Sequence, residues 1–297
     1  MTNDSTLAPA VPKPITRPLE RVCVLIVNYN SGPWLTNCIR ALRGNGAQLP
    51  AIQVLDNASD DSSALDLNNI PGLEAILSRQ NIGFGAGINT LAQNVTHEFI
   101  LVLNPDCLIV QNGLKRLIEE LDAFPSAAMC SGRVFDMSGN EQRGSRRMLP
   151  TPRRLLKEMF RLNVGEGIDL TRMPPPQSNC EVEAVSGACM LIRRDCFNEL
   201  GGFDLDFPMH FEDLDLMARL AHAGHAIRLV PEVAISHAGG VSSRHRRFKV
   251  QLDKHRGLWR YLNKHCRDQW PVWSRPLWAG AISVHFLLAV ALSPWRR

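Results

Sequence analysis

The 297-residue sequence predicts an α/β fold: an open, mostly parallel β-sheet with helices on both faces, followed by a C-terminal helical extension. Three observations predict it. Residues 22–27 and 99–103 are unbroken apolar runs, as strands covered on both faces of a sheet require. The segments between such runs carry apolar residues at helical spacing. Polar, turn-forming clusters follow the runs at 28–31, 56–61 and 104–106. In a parallel sheet those clusters share one edge, the edge where ligands bind.

The elements follow in order. Residues 22–27 form the first strand, and a helix over 34–42 follows the break at 28–33. Short strands lie at 52–55 and 75–78, a helix over 89–94 follows a glycine-rich turn, and 99–103 is another buried strand. Residues 114–124 alternate apolar and acidic residues at helical spacing. The Pro- and Arg-rich stretch 148–177 predicts a loop with a short helix, and 182–193 returns to strand character. A helix over 212–223 and strands at 226–230 and 233–236 follow. Residues 244–265 form a basic amphipathic helix with Phe248, Leu252, Trp259 and Leu262 on one stripe. The expected organisation is a disordered tail over 1–20, an α/β domain over 21–243 and the helical extension over 244–297.

Composition sets limits on function. Hydrophobic residues make up 45% of the chain, which excludes global disorder. The eight cysteines form no Cys-x-x-Cys pair, and several sit in apolar runs, as buried reduced thiols of a cytosolic protein do. The net charge of +4 is uneven: residues 239–275 carry ten Lys/Arg against two Asp, and residues 143–161 seven against one Glu. The two stretches sum to +14, so the remainder is −10. Local basic segments on an acidic body point to an anionic partner: nucleic acid, anionic lipid or a phosphorylated acceptor. The apolar segment 277–293, flanked by Trp and Arg, rises to about 25 Å as a helix, against about 30 Å of hydrocarbon in a bilayer. It either spans marginally, lies in a membrane interface, or docks on the domain.

Three clusters carry chemistry. Asn104-Pro105-Asp106 follows a buried strand, where a carboxylate can bind a divalent cation and so a diphosphate; the same residues also make ordinary turns. The stretch 81–89 is not a dinucleotide loop, because Ile88 stands where the last glycine is needed, and its glycines suit close helix packing. Phe211-Glu212-Asp213-Leu214-Asp215 places three carboxylates at a helix start, as dipole partners or with one acting as general base.

The order of these motifs, with 24–31, 54–60, 186–193, 201–204 and 235–237, resembles the inverting family 2 glycosyltransferases of GT-A fold, in particular the bacterial rhamnosyltransferase branch, over residues 22–243. The resemblance implies a nucleotide-sugar donor, dTDP-L-rhamnose or another UDP- or GDP-sugar, and a glycan or lipid-linked acceptor of the cell envelope, as in lipopolysaccharide biosynthesis. It implies that Asn30 and Asp56 contact the pyrimidine nucleoside, and that Asn81, Asn104 and Asp106 belong to the nucleotide-sugar site. Asp106 would be the principal acid of a metal-binding Asp-x-Asp element, with Asn104 in place of the first Asp. His237 would approach the diphosphate or the metal, a divalent Mg2+ or Mn2+. Gly187 and Ala188 would line the acceptor or sugar pocket. Asp213 would be the catalytic base, with Glu212 as the alternative. The expected place is the inner face of the cytoplasmic membrane, peripherally attached to its anionic surface. A nucleotidyltransferase would want Arg or Lys in 28–33, which has neither. A nucleic-acid-binding module is the further alternative, and the acidic body and the absence of a recognition motif argue against it.

Overall fold

The computed structural model describes residues 17–44, 50–64, 67, 70, 72–159, 167–239 and 247–292. Most of the expected tail, and residues 244–246 and 293–297, lie outside this range. Pro18–Arg21 forms a 3-10 turn rather than a tail, pinned by Arg21 to Glu98 at 2.8 Å and Asp122 at 2.7 Å.

The chain runs β1 (Val22–Asn28), α1 (Trp34–Arg43), β2 (Ala51–Asp56), β3 (Leu73–Leu77), α2 (Phe84–Ala92), β4 (Phe99–Leu103), β5 (Cys107–Ile109), α3 (Gly113–Ala123) and β6 (Ala127–Phe135). Next come β7 (Arg146–Arg147), α4 (Pro152–Met159), β8 (Cys180–Val182), β9 (Ala184–Val185), β10 (Cys189–Arg193) and α5 (Arg194–Glu199). The chain continues through α6 (Glu212–His222), β11 (Ala226–His237), α7 (Arg247–His265) and α8 (Arg275–Leu292). The single strand expected over 182–193 is therefore three, broken by the turn at 186–188. The two expected over 226–236 are one strand, with an irregularity between Leu229 and Ala234 where its pairing with β6 shifts. Helix α2 begins directly at the glycine turn. A Cβ on Gly87 would lie 2.6 Å from Val27 Cγ2, so close packing on β1 explains that glycine.

The described strands form a sheet in the order β3-β2-β1-β4-β10-β6-β11-β5, with β8 paired to β11. Strands β3, β2, β1 and β4 are parallel, as is the β6–β11 pair, whereas β10 runs antiparallel between β4 and β6. The sheet is thus α/β and mixed. An apolar run such as Cys189–Arg193 carries no sign of its direction, which is why β10's reversal was not foreseen. Alternation along each strand divides the core in two. Leu25, Ile100 and Ile192 pack with α2, α6 and α7 on one face, and Val24, Leu101 and Leu191 pack with α1 and α3 on the other.

The C-terminal helices close on this body. Asp215 of α6 is fully buried and binds Arg219, Lys264 and His265, the latter two on α7. Helix α8 packs against α7 through Phe248–Phe286 and His255–His285. Its Leu277, Val284, Leu287 and Leu288 remain exposed, Leu277 by 68%. No described helix is long and apolar enough to cross a membrane.

Candidate active site

Strands β1, β2 and β4 end at one edge of the sheet, and a cleft of about 1040 Å3 opens there. Asn28 and Asp56 are register partners, and the Asn28 amide donates to Asp56 Oδ1 at 2.7 Å and to Ser63 Oγ at 2.8 Å. Asp56 also accepts from the Ser59 hydroxyl at 2.6 Å and the Ser59 backbone N–H at 3.0 Å. Asn30 accepts from the Asp60 N–H at 2.9 Å. Asp56 and Asn30 therefore tie loops together behind the cleft wall, and neither lines it. Their neighbours Tyr29 and Asn57 do. Asn57 accepts from the Ile82 N–H at 2.7 Å and donates to Asn81 at 3.0 Å, joining the glycine-rich turn to the end of β2. Asn81 stands on the cleft as expected.

The register of β5 with β11 pairs Cys107 with His237, which brings Asp106 beside the imidazole. His237 Nε2 lies 3.2 Å from Asp106 Oδ1 and 3.4 Å from Asn104 Nδ2. Its Nδ1 lies 2.9 Å from Gln142 Oε1, an acceptor that takes an Nδ1–H and aims Nε2 at Asp106. Asp106 Oδ2 accepts from the Gly239 N–H at 3.0 Å. A carboxylate and an imidazole that converge in this way fit a divalent cation, with Gln142 orienting the histidine and the Asn104 amide nitrogen turned toward its ring. One carboxylate makes the site weakly charged. Cys107 is close enough to count as a third group. Burial keeps its thiol protonated, however, and its Sγ is directed at Ala188 O, so it is not a ligand.

The 186–188 turn connects this end of the cleft to the acids. Ala188 O accepts from the Asn104 N–H at 2.9 Å, and a Cβ on Gly187 would meet Asp213 Oδ2 at 2.7 Å. Only glycine leaves Asp213 room at that wall. Asp213 Oδ2 accepts from Arg147 Nη2 at 2.5 Å, and the same nitrogen donates to Val185 O at 2.6 Å. Arg147 reaches it because β7 pairs with β9, setting Arg147 opposite Ala184. Burial raises the pKa of Asp213, but the Arg147 charge and hydrogen bonds outweigh it and hold the carboxylate below its usual range. Burial and the Asp213 charge push Glu212 the other way. Three buried polar atoms here have no hydrogen-bond partner: Glu212 Oε2, Arg147 Nε and His210 Nε2. Buried polar groups are normally satisfied, so such a group of orphans marks a place built for a ligand's hydroxyls.

His210 and Phe211 have φ of 63° and 69°, a left-handed pair without glycine and a local store of strain. Helix α7 supports them from behind, where a Cβ on Gly257 would lie 3.1 Å from His210 O. Burial, with Lys254 nearby, lowers His210 to about 4, so it is neutral at physiological pH. Tyr29, Asn57, Arg147 and His210 were not foreseen. The charge count flagged the segment holding Arg147, and His210 adjoins a motif, but no spacing linked either to Asp213. A second hollow of about 590 Å3 near α3 offers no comparable chemistry, since Glu120 there is already paired with Arg228 and Glu232 with Arg116.

Comparison with known proteins agrees with this geometry. The profile described as "Glycosyl transferase family 2" matches residues 23–201. The chain is 25% identical over 265 residues to the N-acetylglucosaminyl-diphospho-decaprenol L-rhamnosyltransferase of Mycobacterium tuberculosis, covering 80% of this chain and 86% of that one. It is 26% identical over 221 residues to the rhamnosyltransferase WbbL of Escherichia coli, covering 71% and 80%. Among solved structures, the mannosyltransferase PcManGT of Pyrobaculum calidifontis, in complex with GDP-Man and Mn2+, superposes with a TM-score of 0.57 at 17% identity, covering 91% of this chain and 75% of that one.

Proposed function

The chain belongs to glycosyl transferase family 2, and from that premise we propose that it moves L-rhamnose from dTDP-L-rhamnose, with inversion, onto a lipid-linked glycan acceptor at the inner face of the cytoplasmic membrane. The observation that carries this reading is one cleft lined both by Asp106 and His237 and by Asp213, with the 186–188 turn between them. The donor's nucleoside lies along Tyr29, Asn57 and Asn81, with Asn30 and Asp56 holding those loops in shape. Asp106 and His237 would hold Mg2+ or Mn2+, which supplies charge to offset that of the departing diphosphate, with Asn104 beside them. Gly187 and Ala188 form the floor under the transferred sugar.

Asp213 takes the proton of the acceptor hydroxyl as its oxygen bonds to the anomeric carbon. The bond from that carbon to the diphosphate oxygen breaks with its electron pair, and the nucleoside diphosphate leaves. Attack from the opposite side inverts the configuration, and no covalent enzyme intermediate forms. Arg147 holds the Asp213 carboxylate in line, a positioning role. Residues 21–243 carry the reacting groups, and residues 244–297 add one wall of the cleft and serve attachment to the anionic membrane surface. The choice of rhamnose rests on similarity to two rhamnosyltransferases.

A thermal-shift screen of the full chain against dTDP-, UDP- and GDP-sugars, with and without Mg2+ or Mn2+, tests the reading. A ligand bound only by the folded state raises Tm by mass action. The expected result is selective, cation-dependent stabilisation by dTDP-L-rhamnose. Preference for a UDP- or GDP-sugar reassigns the donor, and no stabilisation by any of them removes the proposal.

A further inference from the structure

The two basic stretches, far apart in sequence, converge at one end of the cleft. Arg143, from the first, and Lys249 and Lys254, from α7, all line it. Arg143 is already engaged with Glu158 and with Asp169 at 3.5 Å. Neither Lys249 nor Lys254 makes an ion pair with a described residue. Instead Lys254 faces like charge: burial and the Arg143 guanidinium both lower its pKa. The carboxylates on this wall, Glu158 and Asp169, are engaged by Arg143, so the two lysines leave uncompensated positive charge in a concave wall, as an anion site requires.

The neighbouring groups narrow the anion. His255 Nδ1 lies 2.7 Å from Gln251 O, and His255 Nε2 lies 2.9 Å from His285 Nδ1. Those contacts engage both rings, and burial together with His255 holds His285 below its ordinary pKa. The lysines are therefore the cationic groups on α7 that face the cleft. His285 belongs to α8, whose outer side exposes Leu287 by 63% and Leu288 by 54%, with Phe248 of α7 at 60% beside it. In the other direction, α7 packs on the His210 turn that leads to Asp213. From Asp213 outward the cleft thus presents a carboxylate, then cations, then exposed apolar surface.

We propose that Lys249 and Lys254 bind the phosphate groups of the acceptor, a glycosyl lipid (di)phosphate whose sugar reaches Asp213 and whose chain leaves across the exposed side of α8. This rests on the glycosyl-transfer reading of the cleft. The order of chemistry along the wall matches the order of parts in such a molecule: sugar hydroxyl, phosphate, hydrocarbon. Lysine ammonium groups suit phosphate as mobile point charges. The site fixes a class of acceptor and leaves its sugar open.

The test compares full-length protein on two kinds of neutral phosphatidylcholine vesicle, one doped with a long-chain polyprenyl diphosphate and one with phosphatidylglycerol at equal surface charge. The expected result is tighter binding to the diphosphate vesicles. Lys249→Gln/Lys254→Gln erases that preference, weakening diphosphate binding by about tenfold or more, as loss of charge-assisted contacts does. Neither lysine makes an ion pair with a described residue, so the variant is expected to keep its fold, and an unchanged Tm verifies it. Leu287→Asp weakens binding to both vesicles. Equal binding to the two anionic surfaces, or a preference that survives the double variant, overturns the lysine site. Vesicle binding unchanged in Leu287→Asp overturns the α8 path. The nucleotide-sugar thermal shift is measured on the same samples: if neither protein responds while the vesicle preference stands, it is the transfer reading that fails.

Discussion

Glu212 and Asp213 are adjacent residues with opposite electrostatic environments. Burial disfavours charge on both, but Arg147 hydrogen-bonds Asp213, whereas on Glu212 its charge does not overcome burial and the Asp213 charge. At neutral pH Asp213 is ionised and able to accept a proton. Asp213→Asn therefore lowers kcat by about 10²–10⁴-fold while donor binding is kept, and Glu212→Gln costs less. The pH profile separates the two acids independently. A base whose pKa is depressed loses activity only as pH falls through that low value, so the acid limb of kcat lies below the usual carboxylate range. An acid limb near neutrality would hand the role to Glu212. Arg147→Met removes the depression, and the limb moves to higher pH; a limb that stays put would show that Arg147 does not tune the base. The sequence made Asp106, Asp213 and His237 legible because each follows a buried run or opens a helix. Arg147 was hidden because it meets Asp213 across 66 residues through a two-residue strand pairing. Asn57 rather than Asp56 lines the cleft for a simpler reason: successive residues at a strand end face opposite ways, and the motif does not say which one faces it.

At the scale of elements, helical geometry sorts the third carboxylate. A turn of 100° per residue puts Asp215 about 200° from Asp213, so it points away from the cleft. It faces inward, where Arg219 at 2.8 Å, Lys264 at 2.7 Å and His265 at 2.7 Å bind it and tie α7 to α6. Asp215→Asn leaves those donors facing a neutral group and costs about 3 kcal/mol of stability, as broken buried pairs do. Burial opposes ionisation of Asp215, and hydrogen bonds from His265 and Lys264, with Arg219, overcome it and lower the folded-state pKa. That contribution is therefore complete above the unfolded carboxylate pKa of about 3.9 and fades as pH falls through the folded value. Urea denaturation of both proteins across that acid range checks it: the gap between them narrows on acidification, and a gap independent of pH would contradict the assignment. Apolar runs revealed most strands, since burial on both faces is written in composition. Breaks were less visible. The turn at 186–188 is short and small-sided, so β8, β9 and β10 read as one run, and the shifted pairing in β11 read as a gap.

At the scale of the molecule, the expected limit at residue 243 does not bound the site, because α7 and α8 supply one wall of the cleft. The fold class was legible from alternating strands and helices. The sheet order was not, because pairing between distant strands leaves no local trace. Among those pairings, β10 matters most. It fills the gap between β4 and β6, yet it is the last-made of the three. Until residue 193 has emerged from the ribosome, β4 and β6 each present an open edge with no neighbour to satisfy it. A chain ending at Val185 therefore aggregates, measured by light scattering, and a monodisperse product would contradict this. Order along the chain and order in the sheet thus part company: β6 waits first for β10 and then for β11, so its two edges are closed only by segments synthesised well after it.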